Sequence, residues 1–268
     1  MQCIDIGVNL LNAAFNEDRE QVLHNARAVG VSPLIITGTT IRDSMEAQRY
    51  AAQHSGQCYA TAGIHPHNAR LCGSRTIEQL EICSTQNEVV AIGECGLDYN
   101  RDFSPRAIQR AWFEKQVELA CAIKKPLFLH EREAFEDCYQ ILKQNCTKGT
   151  KMVIHCFTGT EQQLEKYLDL GCYIGITGWV CDERRGAQIA SLIKRIPTDV
   201  LMLETDAPYL VPRTLKPRNS RNEPKYLIHI AQQIARIIGK DLGTLAAETV
   251  KNTVTFFDIP LHISTDSE

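Results

Sequence analysis

The sequence predicts an α/β protein, a (β/α)8 barrel of the TIM type, on three observations. Short runs rich in Ile, Val and Leu recur eight times, each followed by a longer segment with helical periodicity. No G-x-G-x-x-G or G-x-x-x-x-G-K-[ST] loop supports the alternative, an open doubly wound sheet. Polar residues able to do chemistry gather where the runs end, as they do on the C-terminal face of a barrel.

The first four runs are CIDIGVNL, PLIITGT, YATAGIHP and VVAIGECGLD, and the last four are PLFLHERE, MVIHCFTG, CYIGITGW and LMLETDAPYL. Amphipathic stretches such as EDREQVLHNARAVG, IRDSMEAQRYAAQHSG and RAIQRAWFEKQVELACAIKK lie between them, and two of these close on Gly30 and Gly56, as helices commonly do. After the eighth run come a Pro-rich basic loop and two helical stretches, around 224–239 and 241–252; the tail TDSE is expected to fray. No linker divides the chain. One domain over 1–268 is expected, with the barrel in about 1–210 and the basic loop and closing helices in about 211–258.

With 268 residues, 44% hydrophobic and 23% charged, the chain has the composition of an ordinary globular domain rather than a disordered one. No apolar run approaches the ~20 residues of a membrane span, and the N-terminal stretch lacks the basic region of a signal peptide. A soluble, cytoplasmic protein is expected, and a monomer. Eleven scattered cysteines without a C-x-x-C fit reduced, mostly buried thiols. The net charge of −3 excludes a generally basic protein, so any grip on nucleic acid must come from a local patch.

The strand-end residues are Asn9, Thr37 to Thr39, His65, Glu94, His130, His155, Thr177 and Asp206. Charged groups ending strongly apolar strands are costly to bury singly, and a metal ion offsets that cost for several at once. Imidazole and carboxylate donors suit zinc, manganese, iron or cobalt, with magnesium also compatible where phosphate and water add oxygens. Cys95 and Cys156 directly follow Glu94 and His155, so strand alternation is expected to turn them toward the helices.

The segments IGECGLDYN, FLHERE, VIHCFTG, IGITGWVCDERR and ETDAPYL followed by RNEP resemble the TatD family of metal-dependent deoxyribonucleases, most of all its bacterial members. The similarity runs from DIGVNL nearly to the end of the chain. It implies a TIM-type barrel of the metallo-dependent hydrolase kind. It also implies metal ligation by Glu94, His130 and His155, Asp206 as a further ligand or general base, and His65 as the histidine of the G-x-H-P motif lining the active site. Arg132 keeps the family's position. Many members carry H-x-H on the first strand for a second metal, where this chain has Gly7 and Asn9. One firmly bound ion is therefore expected, with a second arriving with the substrate phosphate. His65 is expected to contact substrate or support the ligands, and His67 to be a rim residue with no necessary role.

Phosphodiester hydrolysis needs an activated water, charge neutralisation on phosphoryl oxygens and a protonated leaving group. Magnesium or manganese in activity, with zinc also compatible, would serve the first two, and Asp206 is placed to orient or deprotonate the water. Arg213, Lys216, Arg218, Arg221 and Lys225 make a basic loop able to grip phosphate, and Arg132 could add a bidentate contact. One or two of Tyr99, Phe157, Trp179 and Tyr209 are expected to stack on bases without reading them. The resemblance implies a 3′ to 5′ exonuclease on single-stranded DNA, extending to RNA, in DNA repair. Two alternatives stay open: a metal-dependent deacylase acting on aminoacyl-tRNA or another ester or amide, and a non-catalytic barrel scaffold.

Overall fold

The computed structural model describes residues 1–260 apart from 183, 185, 218 and 219; the tail expected to fray and Arg218 lie outside the described residues. Eight parallel strands follow one another in chain order: β1 (Cys3–Val8), β2 (Val31–Ile36), β3 (Cys58–Ala62), β4 (Val89–Asp98), β5 (Leu127–Arg132), β6 (Met152–Ile154), β7 (Tyr173–Ile176) and β8 (Leu201–Leu203). The seam between β8 and β1 is drawn shut by the Asn9 N–H donating to the Ala207 carbonyl at 2.8 Å and the Asp206 N–H donating to the Gly7 carbonyl at 2.9 Å. The expected (β/α)8 barrel is the fold.

Helices α1 (Arg19–Ala28), α2 (Ile41–Gln53), α3 (Thr76–Ser84), α4 (Arg106–Ile123), α5 (Phe135–Asn145), α6 (Glu161–Asp169) and α7 (Gly186–Ile193) link successive strands, and α8 (Leu227–Ile238) and α9 (Leu242–Phe257) follow the last. The expected closing helices are present, but α9 runs to Phe257 because Thr253, Phe256 and Phe257 continue its buried face. Among the described residues, no helix is long and apolar enough to cross a membrane.

Strand alternation sorts the side chains into two cores. Leu127, Leu129, Ile154, Leu201 and Leu203 pack outward against the helices. Phe128, Val153 and Met202 point inward and cluster with Ile4, Ile6 and Ile35. Phe256 of α9 closes the strand-start end of the barrel, its ring 5.0 Å from that of Tyr173, the first residue of β7. Two residues beyond the inward Phe128, Val153 and Met202 stand His130, His155 and Glu204, so the inner face turns from apolar to ionisable at one level.

Strand β4 covers the expected run VVAIGECGLD in full, so Glu94, read as a strand-end residue, lies inside the strand. The register with β5 shifts between Gly93 and Cys95, a bulge that aims Glu94 into the barrel. Gly93 and Gly96 flank it at φ of 145° and 144°, where a Cβ would run into the carbonyl oxygens of Phe128 and His130.

Candidate active site

At the C-terminal mouth of the barrel, three imidazoles converge on one carboxylate oxygen. Glu94 Oε1 lies 2.8 Å from His155 Nε2, 2.9 Å from His130 Nδ1 and 3.3 Å from His65 Nε2. Donor atoms of His65, Glu94 and His130 all fall within 4.8 Å of one another, and His155 Nε2 is 3.3 Å from His130 Nδ1. The cluster opens onto a cavity of about 900 Å³.

The far nitrogen of each ring tells the histidines apart. His130 Nε2 is 3.3 Å from Asp98 Oδ2, and His155 Nδ1 is 3.4 Å from Glu204 Oε2. A carboxylate behind an imidazole fixes a proton on that far side and leaves the inner nitrogen free to ligate a cation. His65 is wired the other way: its Nδ1 accepts from the His67 backbone N–H at 3.1 Å. Burial pushes the His65 pKa down to about 4, so the ring is neutral, and its single proton sits on Nε2 facing Glu94. Distance alone would admit His65 as a ligand, but its hydrogen bonding makes it a donor.

Carboxylates and protonated imidazoles stabilise one another in the cluster. Burial opposes charge on His130, yet Asp98 and Glu94 raise its pKa, and Glu94 and Glu204 raise that of His155 well above the usual imidazole value against the same penalty. Burial also opposes the Glu94 carboxylate, which His155 and the surrounding hydrogen bonds nevertheless hold well below its ordinary value. One carboxylate and two imidazoles whose inner protons can leave fit a divalent ion.

A layer from β8 and β1 supports this set. Glu204 is fully buried, receives the Cys156 backbone N–H and is flanked by Gly7 and Gly175, where a Cβ would meet its carboxylate oxygens at 2.8 Å. Asp5, also buried, accepts from the Thr205 N–H at 2.9 Å and the Thr205 hydroxyl at 2.5 Å, and burial pushes its pKa up to about 8. Between these anchors Asp206 faces the cavity, its Oδ1 accepting from Asn9 Nδ2 at 2.9 Å. Burial pushes the Asp206 carboxyl up to about 7, against the pull of His155.

Comparison with known proteins places this geometry. The TatD related DNase family matches residues 4–258. The chain belongs to that family. It is 48% identical over 257 residues, 95% of this chain and 99% of the other, to the protein called 3′-5′ ssDNA/RNA exonuclease TatD in Erwinia tasmaniensis. Among solved structures it resembles a TatD family hydrolase of Entamoeba histolytica, with a TM-score of 0.87 at 28% identity, covering 96% of this chain and 98% of that one. It also resembles a TatD homologue of Escherichia coli, with a TM-score of 0.88 at 27% identity and the same coverage.

Of the residues singled out for the TatD chemistry, His65, Glu94, His130, His155, Arg132, Asp206 and Tyr209 all line the cavity. The described residues of the basic loop do not join them. Arg221 is committed to Asp18 at 2.6 Å and Glu223 at 3.0 Å, Lys225 to Glu223 at 2.7 Å, and Arg213 leans toward Asp182 at 3.8 Å. Arg132 is the sole Lys or Arg among the described residues of the cavity wall. Phe157 is buried in the outer core, and the Tyr99 hydroxyl is tied to Asp137 at 2.5 Å; neither lines the cavity. Cys156, expected among the helices, lines it instead: β6 ends at Ile154, and a left-handed φ of 47° breaks the alternation. His67, expected to be idle, bonds Asp98 Oδ2 at 2.7 Å.

Asp98 and Glu204 were missed, although alternation signals both: Asp98 follows Glu94 and Gly96 along β4, and Glu204 stands between Met202 and Asp206. Asp98→Asn and Glu204→Gln keep the side-chain shape but remove the orienting charge, and each is expected to weaken Mn²⁺ binding ~10–100-fold in titration calorimetry. Unchanged affinity would show that packing alone sets the rings. Because raised imidazole pKa values keep the inner protons on as pH falls, Mn²⁺ affinity is expected to rise as pH climbs above the ordinary imidazole value of about 6.5. A flat profile would mean the imidazoles are already deprotonated.

Proposed function

We propose that this chain is a 3′ to 5′ exonuclease on single-stranded DNA, and on RNA, hydrolysing phosphodiester bonds in DNA repair or turnover. One observation carries the assignment: a family match spanning residues 4–258 coincides with a Glu94-centred donor set at the barrel mouth. The close match to proteins named for that exonuclease activity favours it over the deacylase and scaffold readings. We read the chain as a single catalytic domain, acting as a monomer in the cytoplasm, a compartment that suits its eleven free cysteines.

Glu94, His130 and His155 would hold a divalent ion, magnesium or manganese in turnover with zinc also compatible, and it would supply positive charge that polarises a phosphoryl oxygen and acidifies water. Gly7 and Asn9, in place of first-strand imidazoles, support one firmly held ion and a second recruited with substrate. Asp206, with Oδ1 held by Asn9, presents its other oxygen to orient the attacking water and take its proton. His65 Nε2–H donates to a phosphoryl oxygen, and Arg132 can span two more. Tyr209, 53% exposed, offers a ring face to a base.

Single-stranded DNA labelled at its 5′ end should give a ladder shortening from the 3′ end with Mg²⁺ or Mn²⁺ and none with EDTA. Glu94→Ala should abolish both cleavage and metal binding, whereas His65→Ala should lower turnover and leave bound metal nearly unchanged. Absence of cleavage under every metal would overturn the nuclease, and loss of metal in His65→Ala would make His65 a ligand. With Arg132 as the sole Lys or Arg among the described residues of the wall, log(kcat/KM) should fall with log[salt] at a slope of about −0.7 to −1.5. A slope near −4 would mean that the basic loop grips several phosphates after all.

A further inference from the structure

Phe103, on the loop between β4 and α4, was not signalled by any strand end, yet it lines the cavity and is 53% exposed. The loop that presents it is built rather than slack. Ser104 beside it is fully buried, its hydroxyl donating to the His67 carbonyl at 2.9 Å and accepting from the Arg70 N–H at 3.0 Å. Gln109 Nε2 donates to the Ser104 carbonyl at 2.8 Å. On its other side Asp102 holds a left-handed φ of 49° and is clasped by Arg106 at 2.7 Å. The Phe103 ring meets His67 edge-on, centroids 4.7 Å apart, and His67 meets His65 in the same way at 4.2 Å. The ring is thus fixed on one side and open to the cavity, two ring contacts from the His65 imidazole.

A large apolar face held in the open beside a phosphoryl-transfer centre suits one ligand chemistry, the flat face of a nucleobase. We infer that Phe103 is a stacking platform for a base adjoining the scissile phosphate. The inference rests on the nuclease reading and adds to it where the polymer lies. In an eight-stranded ring β4 stands opposite β8, so Phe103 and Tyr209 flank the mouth from opposite sides. Phe103 has no donor or acceptor to offer, so it orders the chain end without selecting its sequence.

The test compares wild type, Phe103→Ala and Phe103→Trp on three short single-stranded oligonucleotides: one intact, one abasic at the 3′-terminal position and one abasic at the penultimate position. On the intact strand Phe103→Ala should raise KM about 5- to 100-fold with kcat little changed, and Phe103→Trp should restore it. On one of the two abasic strands wild type and Phe103→Ala should become equal. An equal penalty on all three would overturn the platform. If Mn²⁺ affinity fell in parallel with that equal penalty, Phe103 would instead be a support for His67. Failure of wild type to cut any of the strands would overturn the nuclease assignment itself, a result distinct from loss of base dependence.

Discussion

Everything at the mouth of this barrel turns on how a buried carboxylate is compensated. Glu94 Oε1 sits away from water with three imidazoles around it, and an isolated anion there would be strongly disfavoured. The chain compensates with two classes of histidine. His130 and His155 are backed by Asp98 and Glu204 and can trade their inner protons for a cation, whereas burial keeps His65 neutral and the His67 N–H fixes its proton on Nε2. The same network therefore suits the site to a divalent ion.

Charge around the cavity follows a consistent division. Among the described residues its wall carries several carboxylates and one guanidinium, that of Arg132. Among the described cations beyond β8, Arg221 and Lys225 pair with Asp18 and Glu223 and Arg213 leans toward Asp182, so these side chains brace the loop more than they make a track for a polyanion. A wall of this charge repels a phosphate unless divalent positive charge accompanies it.

The barrel was legible in the sequence because its strands are continuous apolar runs buried on both faces, the pattern that parallel sheets impose. The cavity residues were legible because they stand within those runs or just beyond them. Three things were not. The bulge that aims Glu94 into the barrel is disclosed only by its pairing partners on β5. The left-handed turn at Cys156 breaks a strict alternation that reads only local order. Arg221 looks like a phosphate ligand until the fold brings in Asp18, 203 residues away in the chain. Long-range pairing decides whether a surface charge is free, and composition carries no record of it.

The seam between β1 and β8 has a consequence for when the site exists at all. Asp5 and Thr205 are bonded across 200 residues of chain, and Asn9 and Asp206 across 197. Such contacts are the last that a growing chain can make. During synthesis Glu94, His130 and His155 emerge well before the segment that carries Glu204 and Asp206. Ring closure is thus also a safety catch: a half-made chain has neither the carboxylate that orients His155 nor the one that faces the cavity, and it becomes chemically competent only when its own circle is complete.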